Sequence, residues 1–412
     1  MRVDEGSLIG ALPPDVARAV GAASRLARRR GGRLWVVGGA IRDHVAGIPL
    51  RDADLATDLD AASLAVEVAG RLDAVASGWP RFGTASIALG EHRVDIATLR
   101  TERYLRPGAL PVVHFDATIE QDLARRDFSV NAIALELGGH VEAVDPFAGL
   151  DDLRARRLRV LHPRSFRDDA TRLWRGARYA ARLDLHPDAE TARLIEAGGA
   201  WLRSISGERI WAEFERTAAE RRPGRVLARL DAWGVLRSTH PALRYGPAAR
   251  RGLARRRSPL DAARLLAVML AGEAGRAGAY ERLNAPTEAR RAVEDATRLL
   301  DAPPEAARDI EALHALESTG AAGREAARML APETQRPLQA ALRRWERTRP
   351  HLDAAALVRV GVAPGPALGV WLRRLRAERY LGNLSSASEA RRLIRRERAA
   401  LEAATPPRGT TR

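Results

Sequence analysis

The apolar positions divide the chain into two regions of different periodicity. Up to about residue 140, short apolar runs separated by glycine and proline predict β-strands at residues 34–37, 85–89, 94–99 and 132–137. Residues 62–72 have helical spacing instead. After residue 145, apolar positions recur with helical spacing almost to the end, and prolines interrupt the pattern. The chain therefore predicts a mixed α/β part followed by an all-helical remainder.

Composition narrows the class of protein. The chain has 412 residues, 46% of them hydrophobic, so it can form cores in about two to four domains. Its formal net charge is +16, and because it contains no lysine, arginine supplies all 68 basic residues. That charge predicts a polyanionic partner, with nucleic acid ahead of an acidic membrane, although a genome-wide bias toward Arg and Ala would produce the same excess. The absence of cysteine excludes disulfides, thiolate zinc sites and a cysteine nucleophile.

The location of the protein can also be predicted. The first residues lack the basic and apolar segments of a signal peptide, and no apolar run reaches the roughly 18 residues needed to span a bilayer. We therefore expect a soluble cytoplasmic protein with no membrane partner, and frayed residues at the very end.

A glycine pair follows the first predicted strand. Gly38 and Gly39 precede a helix-like stretch, and such a turn lets backbone N–H groups approach a phosphate. Arg42 lies one turn into that stretch and can reach the same anion. Taken alone, the pattern also fits an ordinary strand-to-helix turn.

Three aspartates suggest a metal site. Asp52 and Asp54 are two residues apart, so in a strand they point to the same side and repel each other unless a cation lies between them. Asp95 lies between apolar neighbours in a second predicted strand. Carboxylates from adjacent strands can hold two Mg²⁺ ions for phosphoryl transfer. Solvated acids on a surface turn are the alternative.

Two further segments concentrate arginine. Residues 125–127 (RRD) precede an apolar run, which indicates either a triphosphate clamp or a salt-bridged surface corner. Asp169, Arg172, Arg175 and Arg178 follow one another at steps of three, which predicts one slowly turning helical face. A solvated arginine stripe would have the same spacing.

Taken in order, these segments resemble the motifs of the bacterial-type (class II) tRNA nucleotidyltransferase and poly(A) polymerase family. The segments that carry the resemblance are residues 38–43 with 52–57 (GGAIRD, DADLAT), 125–132 (RRDFSVNA), 145–153 (DPFAGLDDL), 168–178 and, as a fifth motif, 206–210 (SGERI). Each is moderately specific, and their shared order is highly specific. Asp168 stands where the family often has Glu, and Ala170 where it often has Pro.

The resemblance implies an α+β fold, in which a small nucleotidyltransferase head with a mixed or antiparallel sheet is followed by an all-helical neck, body and tail. We place the head at residues 1–140, the neck at 141–222, the body at 223–340 and the tail at 341–412. Residues 362–369 (VAPGPALG) resemble the element of the tail that grips tRNA. The sequence does not indicate the oligomeric state.

The resemblance also implies functional roles, with tRNA as acceptor and CTP and ATP as substrates. Asp52, Asp54 and Asp95 would be catalytic, and Asp52 and Asp54 would bind the metal, expected to be two Mg²⁺ ions. Nucleotide binding would involve Gly38, Gly39, Arg42, Arg126, Asp127, Asn131, Asp169, Arg172, Arg175 and Arg178. Glu208 and Arg209 of the fifth motif would brace the neck.

Base selection in this scheme follows from hydrogen bonding. Cytosine and adenine each present an amino donor beside a ring-nitrogen acceptor, so Asp169 can accept from the first and Arg172 can donate to the second. Uracil and guanine would leave buried polar groups unpaired, at about 1–3 kcal/mol each. One Asp–Arg pair thus selects CTP and ATP without a nucleic-acid template.

Three alternatives remain. The enzyme could add only CC or only the final A, and residues 107–111 (PGALP), which lie between the first two motifs, do not decide between these and full CCA addition. A poly(A) polymerase would share the head and much of the neck. A non-enzymatic RNA-binding protein with a decayed head would not need the intact Asp52, Asp54 and Asp169.

Overall fold

The computed structural model describes residues 3–139, 142–254, 256, 258–303, 310–332 and 335–404, without the side chains of residues 80 and 398–404. These residues form two compact units. The first comprises Met1–Pro241 with Arg282–Asn284, and the second comprises Ala242–Glu281 with Ala285–Arg412.

The first unit contains a six-stranded sheet and two small pairs of strands. In chain order the strands are β1 (Leu34–Val37), β2 (Ala53–Thr57), β3 (Val75–Trp79), β4 (Thr84–Leu89), β5 (His92–Thr98), β6 (Thr101–Arg103), β7 (Val112–His114), β8 (Ala134–Glu136), β9 (Arg157–Leu158) and β10 (His186–Pro187).

The main sheet has the strand order β3-β4-β5-β2-β1-β8 and is mixed. Strands β2 and β5 are parallel, whereas the other neighbours in this sheet are antiparallel. The parallel register places Asp54 of β2 directly beside Asp95 of β5. Strands β6 and β7 form a separate antiparallel hairpin, and β9 pairs with β10 over two residues.

Twelve α-helices accompany these strands in the described part of the first unit. They are α1 (Glu5–Gly10), α2 (Pro14–Arg29), α3 (Gly39–Val45), α4 (Ala61–Arg71), α5 (Ile119–Ala124), α6 (Gly149–Arg154), α7 (Ser165–Asp168), α8 (Thr171–Leu183), α9 (Ala189–Gly198), α10 (Gly207–Ala218), α11 (Pro223–Ala232) and α12 (Val235–Thr239). Short 3-10 turns lie at Pro80–Phe82, Ser129–Asn131 and Gly199–Ser204.

Strand β1 is buried on both faces of the sheet, because its alternate side chains enter two different cores. Leu34 and Val36 of β1 point to a core shared with α2 and α4, whereas Trp35 and Val37 point to a second core on the opposite face. Helix α4 is capped by the Asp60 carboxylate, which accepts a hydrogen bond of 2.7 Å from the Ser63 amide. Two packed faces hold β1 and β2 rigidly, so the turns that follow them are fixed in place.

The described part of the second unit is helical. Its elements are α13 (Pro247–Leu253), α14 (Ala262–Leu270), α15 (Arg276–Leu283), α16 (Thr287–Asp301), α17 (Ile310–Glu317), α18 (Ala321–Leu330), α19 (Arg336–Arg347), α20 (Ala354–Arg359), α21 (Pro366–Leu381) and α22 (Ala387–Ala404). Helix α21 begins at Pro366, within the predicted Pro/Gly element. Across the described ranges, no helix is long and apolar enough to cross a membrane.

The predicted fold class is confirmed, since a mixed sheet precedes a mostly helical remainder. The run at 34–37 is β1, and the other predicted strands correspond to β4, β5 and β8. The region predicted as an all-helical neck also contains the short pairing of β9 with β10. The four-part division of the chain remains a prediction, and the first compact unit extends to Pro241, beyond the predicted end of the neck.

Candidate active site

A cavity of about 760 Å³ opens in the first unit, where the ends of β1 and β2 face helices α8 and α10. Among the described residues that line it are ten arginines and five carboxylates, so its wall carries an excess of positive charge. The volume and the charge suit a nucleoside triphosphate. Eleven of the predicted site residues lie on its wall: Gly38, Gly39, Arg42, Asp54, Arg126, Asp127, Asn131, Asp169, Arg172, Arg175 and Arg178.

The glycine turn after β1 forms one edge of the cavity. Gly38 has φ +62° and ψ −112°, a backbone conformation that side-chain-bearing residues rarely adopt. A Cβ at this position would lie 2.7 Å from Nη1 of Arg126, so a larger residue would displace the guanidinium of Arg126. Helix α3 then carries Arg42, which is buried and donates to Oδ1 of Asn131 at 2.6 Å and to Asp43 at 2.8 Å. The first two motif segments are thus tied together beneath the turn.

The three predicted metal-binding aspartates occupy different positions. Asp54 lies on the cavity wall, next to Asp95 of β5, whereas Asp95 pairs with Arg93 at 3.2 Å. Asp52 precedes β2, is exposed, and accepts a hydrogen bond of 3.0 Å from the Arg93 amide. The described residues contain no group of three or more His, Asp or Glu arranged to hold a metal ion. The residues that face the cavity therefore include one of the three carboxylates.

The charge state of Asp54 reflects its surroundings. Its carboxylate is open to the cavity but lies deep among protein atoms, and this loss of solvent, together with the charge of Asp95, raises the pKa of Asp54. Arg126 and Arg42 oppose the shift. A carboxylate held beside a like charge is a site where a cation would be stabilised, and carboxylate oxygens are ligands that Mg²⁺ prefers.

The two arginines of the second motif are held by acids. Asp122 accepts from Arg125 at 2.7 Å and from Arg126 at 3.0 Å, and Glu102 accepts from Arg125 at 2.8 Å. The buried Nε of Arg126 has no hydrogen-bond partner among the described residues. Arg126 lies on the cavity wall and is held by Asp122, whereas Arg125 is held by both Asp122 and Glu102.

Asp127 links the second motif to helix α8. One carboxylate oxygen accepts from Asn131 Nδ2 at 2.8 Å, and the other accepts from Arg175 Nε at 2.8 Å. Burial opposes ionisation of Asp127, but the charge of Arg175 and the hydrogen bond from Asn131 outweigh burial and lower the pKa to about 2. The side chain is 5% exposed. Asp127 is thus an ionised, fully bonded carboxylate that fixes its neighbours.

The third motif supports the second from below. The Asp145 carboxylate accepts from the Gly149 and Leu150 amides at 2.7 and 2.9 Å, which caps helix α6. Asp152 of that helix is buried and accepts a hydrogen bond of 2.6 Å from Ser129 Oγ. This motif positions the second one and has no residue on the cavity wall among those described.

Asp169 and Arg172 lie at the start of helix α8, and the predicted single helical face is wrong in one respect. Asp169 has an extended backbone and lies between α7 and α8, because its carboxylate accepts from the Thr171 amide at 3.0 Å and so precedes the helix. Arg172 is buried, and donates to Ser165 Oγ and to the Arg125 carbonyl oxygen, both at 2.8 Å. Both side chains of the predicted base-selecting pair are therefore fixed in orientation.

Further along α8, Arg178 donates to Glu213 of α10 at 3.0 Å, and its buried Nε has no partner among the described residues. Tyr179 supplies an aromatic face that the sequence did not indicate. The guanidinium of Arg42 lies 4.7 Å from the centre of its ring, and those of Arg175 and Arg178 lie 5.8 Å from it. This ring holds arginines from two motifs together.

The β6–β7 hairpin supplies Tyr104, which sequence reasoning missed, and α10 supplies Arg209, for which it predicted a different role. Tyr104 lines the cavity and donates to Glu102 at 3.1 Å, and burial raises the pKa of its hydroxyl above the usual range. Arg209 does not pair with Glu208, which accepts from Asn284 instead. Arg209 instead pairs with Asp169 at 2.9 Å and donates to the Gly108 carbonyl oxygen at 2.9 Å.

The tip of the hairpin is docked at this point. Gly108 has φ +70°, and a Cβ there would lie 2.4 Å from Ser204 Oγ. Its amide reaches the Asp168 carbonyl oxygen at 3.3 Å. The segment between the first two motifs is thus held against the residue before Asp169.

Comparisons with known proteins agree with this arrangement. Residues 34–159 match the family model of the poly(A) polymerase head domain. An A-adding tRNA nucleotidyltransferase of Halalkalibacterium halodurans is 38% identical over 205 residues, or 48% of each chain. A solved structure of a CCA-adding enzyme in complex with ATP shares the fold, with a TM-score of 0.69 at 22% identity, and the match covers 96% of this chain and 99% of that chain.

One of the relatives matches this chain through the helical region as well as the head. A CC-adding tRNA nucleotidyltransferase of Deinococcus radiodurans is 35% identical over 389 residues, which are 90% of this chain and 91% of that protein. Similarity over nearly the whole length excludes a match limited to the head. The family predicted from the motifs is confirmed: this chain belongs to the tRNA nucleotidyltransferases.

Proposed function

We propose that the protein adds nucleotides of the CCA end to the 3′ terminus of tRNA, with CTP and ATP as substrates and without a nucleic-acid template. One observation carries the proposal. A single cavity brings together Asp54, a set of arginines and the fixed pair Asp169 and Arg172. In this proposal Asp54 acts at the reacting phosphate, the arginines bind the triphosphate, and Asp169 and Arg172 bind the base.

The reaction is a displacement at phosphorus. The 3′-hydroxyl oxygen of tRNA forms a bond to the α-phosphorus, the bond from that phosphorus to the bridging oxygen breaks, pyrophosphate leaves, and the hydroxyl proton is lost to water. Asp54 lies on the wall where the α-phosphate would lie. Arg126 and Arg178 line the cavity and would donate to phosphate oxygens. The backbone at Gly38 and Gly39 would approach the nucleotide closely.

Enzymes of this family generally use divalent metal ions. Asp54 fits such an ion, because it faces the cavity, lies beside Asp95 in the sheet register, and offers carboxylate oxygens that suit Mg²⁺. Asp52 and Asp54, together with Asp95, would hold two Mg²⁺ ions, which requires that Asp52 and Asp95 give up their present contacts with Arg93. When bound, the metal supplies neutralisation of the charge that develops on the attacking and leaving oxygens.

Base selection would depend on Asp169 and Arg172. The carboxylate would accept from the exocyclic amino group of cytosine or adenine, and the guanidinium would donate to the adjacent ring nitrogen. Arg175 is held by Asp127, and Asn131 by both Asp127 and Arg42, so these residues would contribute by keeping the second motif and α8 in register. Since tRNA and nucleoside triphosphates are its substrates, we place the activity in the cytoplasm.

Addition of CC alone is a second candidate. It is favoured by the 35% identity to a CC-adding relative, which extends over 90% of this chain. Three tRNA transcripts that end before CCA, after C and after CC separate the possibilities when labelled CTP and ATP are supplied singly and together with Mg²⁺. Extension of the shortest transcript by three nucleotides indicates full CCA addition, and extension by two indicates CC addition. Addition of A alone to the CC-ended transcript indicates an A-adding enzyme, long A tails indicate a poly(A) polymerase, and no incorporation refutes the proposal.

A further inference from the structure

One oxygen of the Asp169 carboxylate is saturated by protein donors. Oδ1 accepts from the Thr171 amide at 3.0 Å, from the Thr171 hydroxyl at 2.6 Å and from Arg209 Nη2 at 2.9 Å. Three donors converge on Oδ1 and turn this oxygen toward the protein, so the orientation of the carboxylate depends on all three of them.

The other oxygen is in a different situation. Within the part of the chain that the structure describes, no hydrogen-bond donor is recorded for Oδ2 of Asp169, and the residue lines the cavity with 17% of its side chain exposed. A carboxylate with one oxygen fully bonded and the other open presents a single acceptor in one direction. A neutral amino group suits that acceptor, whereas a carbonyl oxygen repels it.

We propose that Thr171 and Arg209 are positioning residues that determine base selectivity, because they hold Asp169 with only Oδ2 available to the base. The inference rests on the proposed function of the cavity and deepens it. Both residues line the cavity, but the role assigned to them depends on their contacts with Asp169 and not on contact with the nucleotide. Each prevents rotation of the carboxylate. A carboxylate that could rotate would be able to bond to water when a base without an amino donor is bound, and would then discriminate less strongly against that base.

The two residues act from different elements. Thr171 is two residues from Asp169 and holds it locally, at the first position of α8. Arg209 belongs to α10, and its second Nη donates to the carbonyl oxygen of Gly108 at the tip of the β6–β7 hairpin. Loss of Arg209 therefore releases the hairpin as well as Asp169, whereas loss of the Thr171 hydroxyl affects Asp169 alone.

Thr171→Val is the sharper test, because it removes one donor to Oδ1 while keeping the amide donor and the shape of the side chain. We expect the preference for CTP over UTP to fall by about tenfold, the effect of losing one hydrogen bond to a charged group. Thr171→Ser, which restores the hydroxyl, should recover the preference. Thr239→Val is the matched control, since that buried hydroxyl donates to the Val235 carbonyl oxygen and Thr239 is not among the described residues that line the cavity.

Two measurements keep this inference separate from the proposed function. The dissociation constants of CTP and UTP are measured on the full chain without tRNA, and the incorporation of CMP and UMP is measured with a tRNA that lacks CCA. A loss of preference in Thr171→Val and Arg209→Gln, but not in Thr239→Val, supports the inference. An equal weakening of both nucleotides, with the preference intact, overturns it.

The outcomes also distinguish the two failures. If wild-type protein incorporates no nucleotide into tRNA but prefers CTP to UTP in binding, and Thr171→Val reduces that preference, the proposed function fails and the role of Thr171 stands. If wild-type protein incorporates CMP selectively and Thr171→Val is equally selective, the proposed function stands and the role of Thr171 is refuted.

Discussion

The buried carboxylate of Asp127 provides a quantitative prediction for stability. Asp127→Asn removes the charge that faces Arg175 and places an amide where both oxygens now accept hydrogen bonds. The pKa of Asp127 in the folded chain is about 2, below its ordinary value of 3.8. Since a shift of one pKa unit corresponds to about 1.4 kcal/mol, ionised Asp127 contributes about 2 kcal/mol to the free energy of unfolding at neutral pH.

The same shift predicts how the effect depends on pH. The pKa is lower in the folded state than in the unfolded state, so the contribution is complete above about pH 4 and is lost as pH falls towards 2. A second estimate agrees in size, because a hydrogen bond to a charged group contributes about 1.5–3 kcal/mol. Solvent screening keeps the value toward the lower end, since Arg175 is 37% exposed.

The assay is urea unfolding of wild-type protein and Asp127→Asn at pH 7 and at pH values between 5 and about 3. We expect a difference of about 2 kcal/mol at pH 7 that decreases below about pH 4. Asp151→Asn is the control, because Asp151 is 71% exposed and its pair with Arg154 should contribute little. A difference that is absent at pH 7, or that is unchanged at the lowest pH, would refute the assigned role of Asp127.

Three further predictions concern the cavity and its partner. Gly38→Ala should lower activity and cost about 1–3 kcal/mol of stability, because of the backbone conformation at Gly38 and its contact with Arg126. Gly47→Ala is the control, since Gly47 has a positive φ but open space around it, and this variant should retain activity. Equal activity of the two variants would contradict this. Glu213→Gln should cost about 2–3 kcal/mol in urea unfolding, because the buried Arg178 loses the nearer of its two carboxylate partners and keeps only Glu220 at 3.9 Å; an unchanged unfolding midpoint would be inconsistent with that pair. The affinity for tRNA, measured by filter binding, should fall at least about tenfold between 50 and 200 mM salt, and a flat profile would argue against contacts between arginine and phosphate.

Some features of the site could be predicted because they depend on local pattern. The apolar run of β1 followed by two glycines specifies a strand, a tight turn and a helix, and the structure has all three at those residues. Arg42 is where the helical spacing places it. The order of the motifs then identified the family, which the relative from Deinococcus radiodurans confirms.

Other features depend on contacts between distant residues. The pairing of Arg209 with Asp169 joins residues 40 positions apart, and the periodicity of neither segment indicates it. The spacing alone predicted that Asp169 lies inside a helix. Its carboxylate instead accepts a hydrogen bond from the Thr171 amide, and Asp169 has an extended backbone just before α8 begins. Likewise, Asp52 and Asp95 are carboxylates like Asp54, but in this structure Asp52 accepts from the Arg93 amide and Asp95 pairs with the Arg93 side chain. The local sequence does not indicate which of the three aspartates faces the cavity.

The most direct test of the account is transfer of labelled CMP and AMP to a tRNA that lacks CCA, by wild-type protein and by Asp54→Asn in the presence of Mg²⁺. Asp54 faces the cavity, so its replacement by an amide should remove activity while leaving the unfolding midpoint close to that of wild type. We predict that wild-type protein adds CMP or AMP and that Asp54→Asn adds none. The number of nucleotides that wild-type protein adds distinguishes full CCA addition from addition of CC or A alone. No incorporation by wild-type protein, or equal incorporation by a folded Asp54→Asn variant, would contradict the assignment of this cavity as a nucleotidyltransferase site.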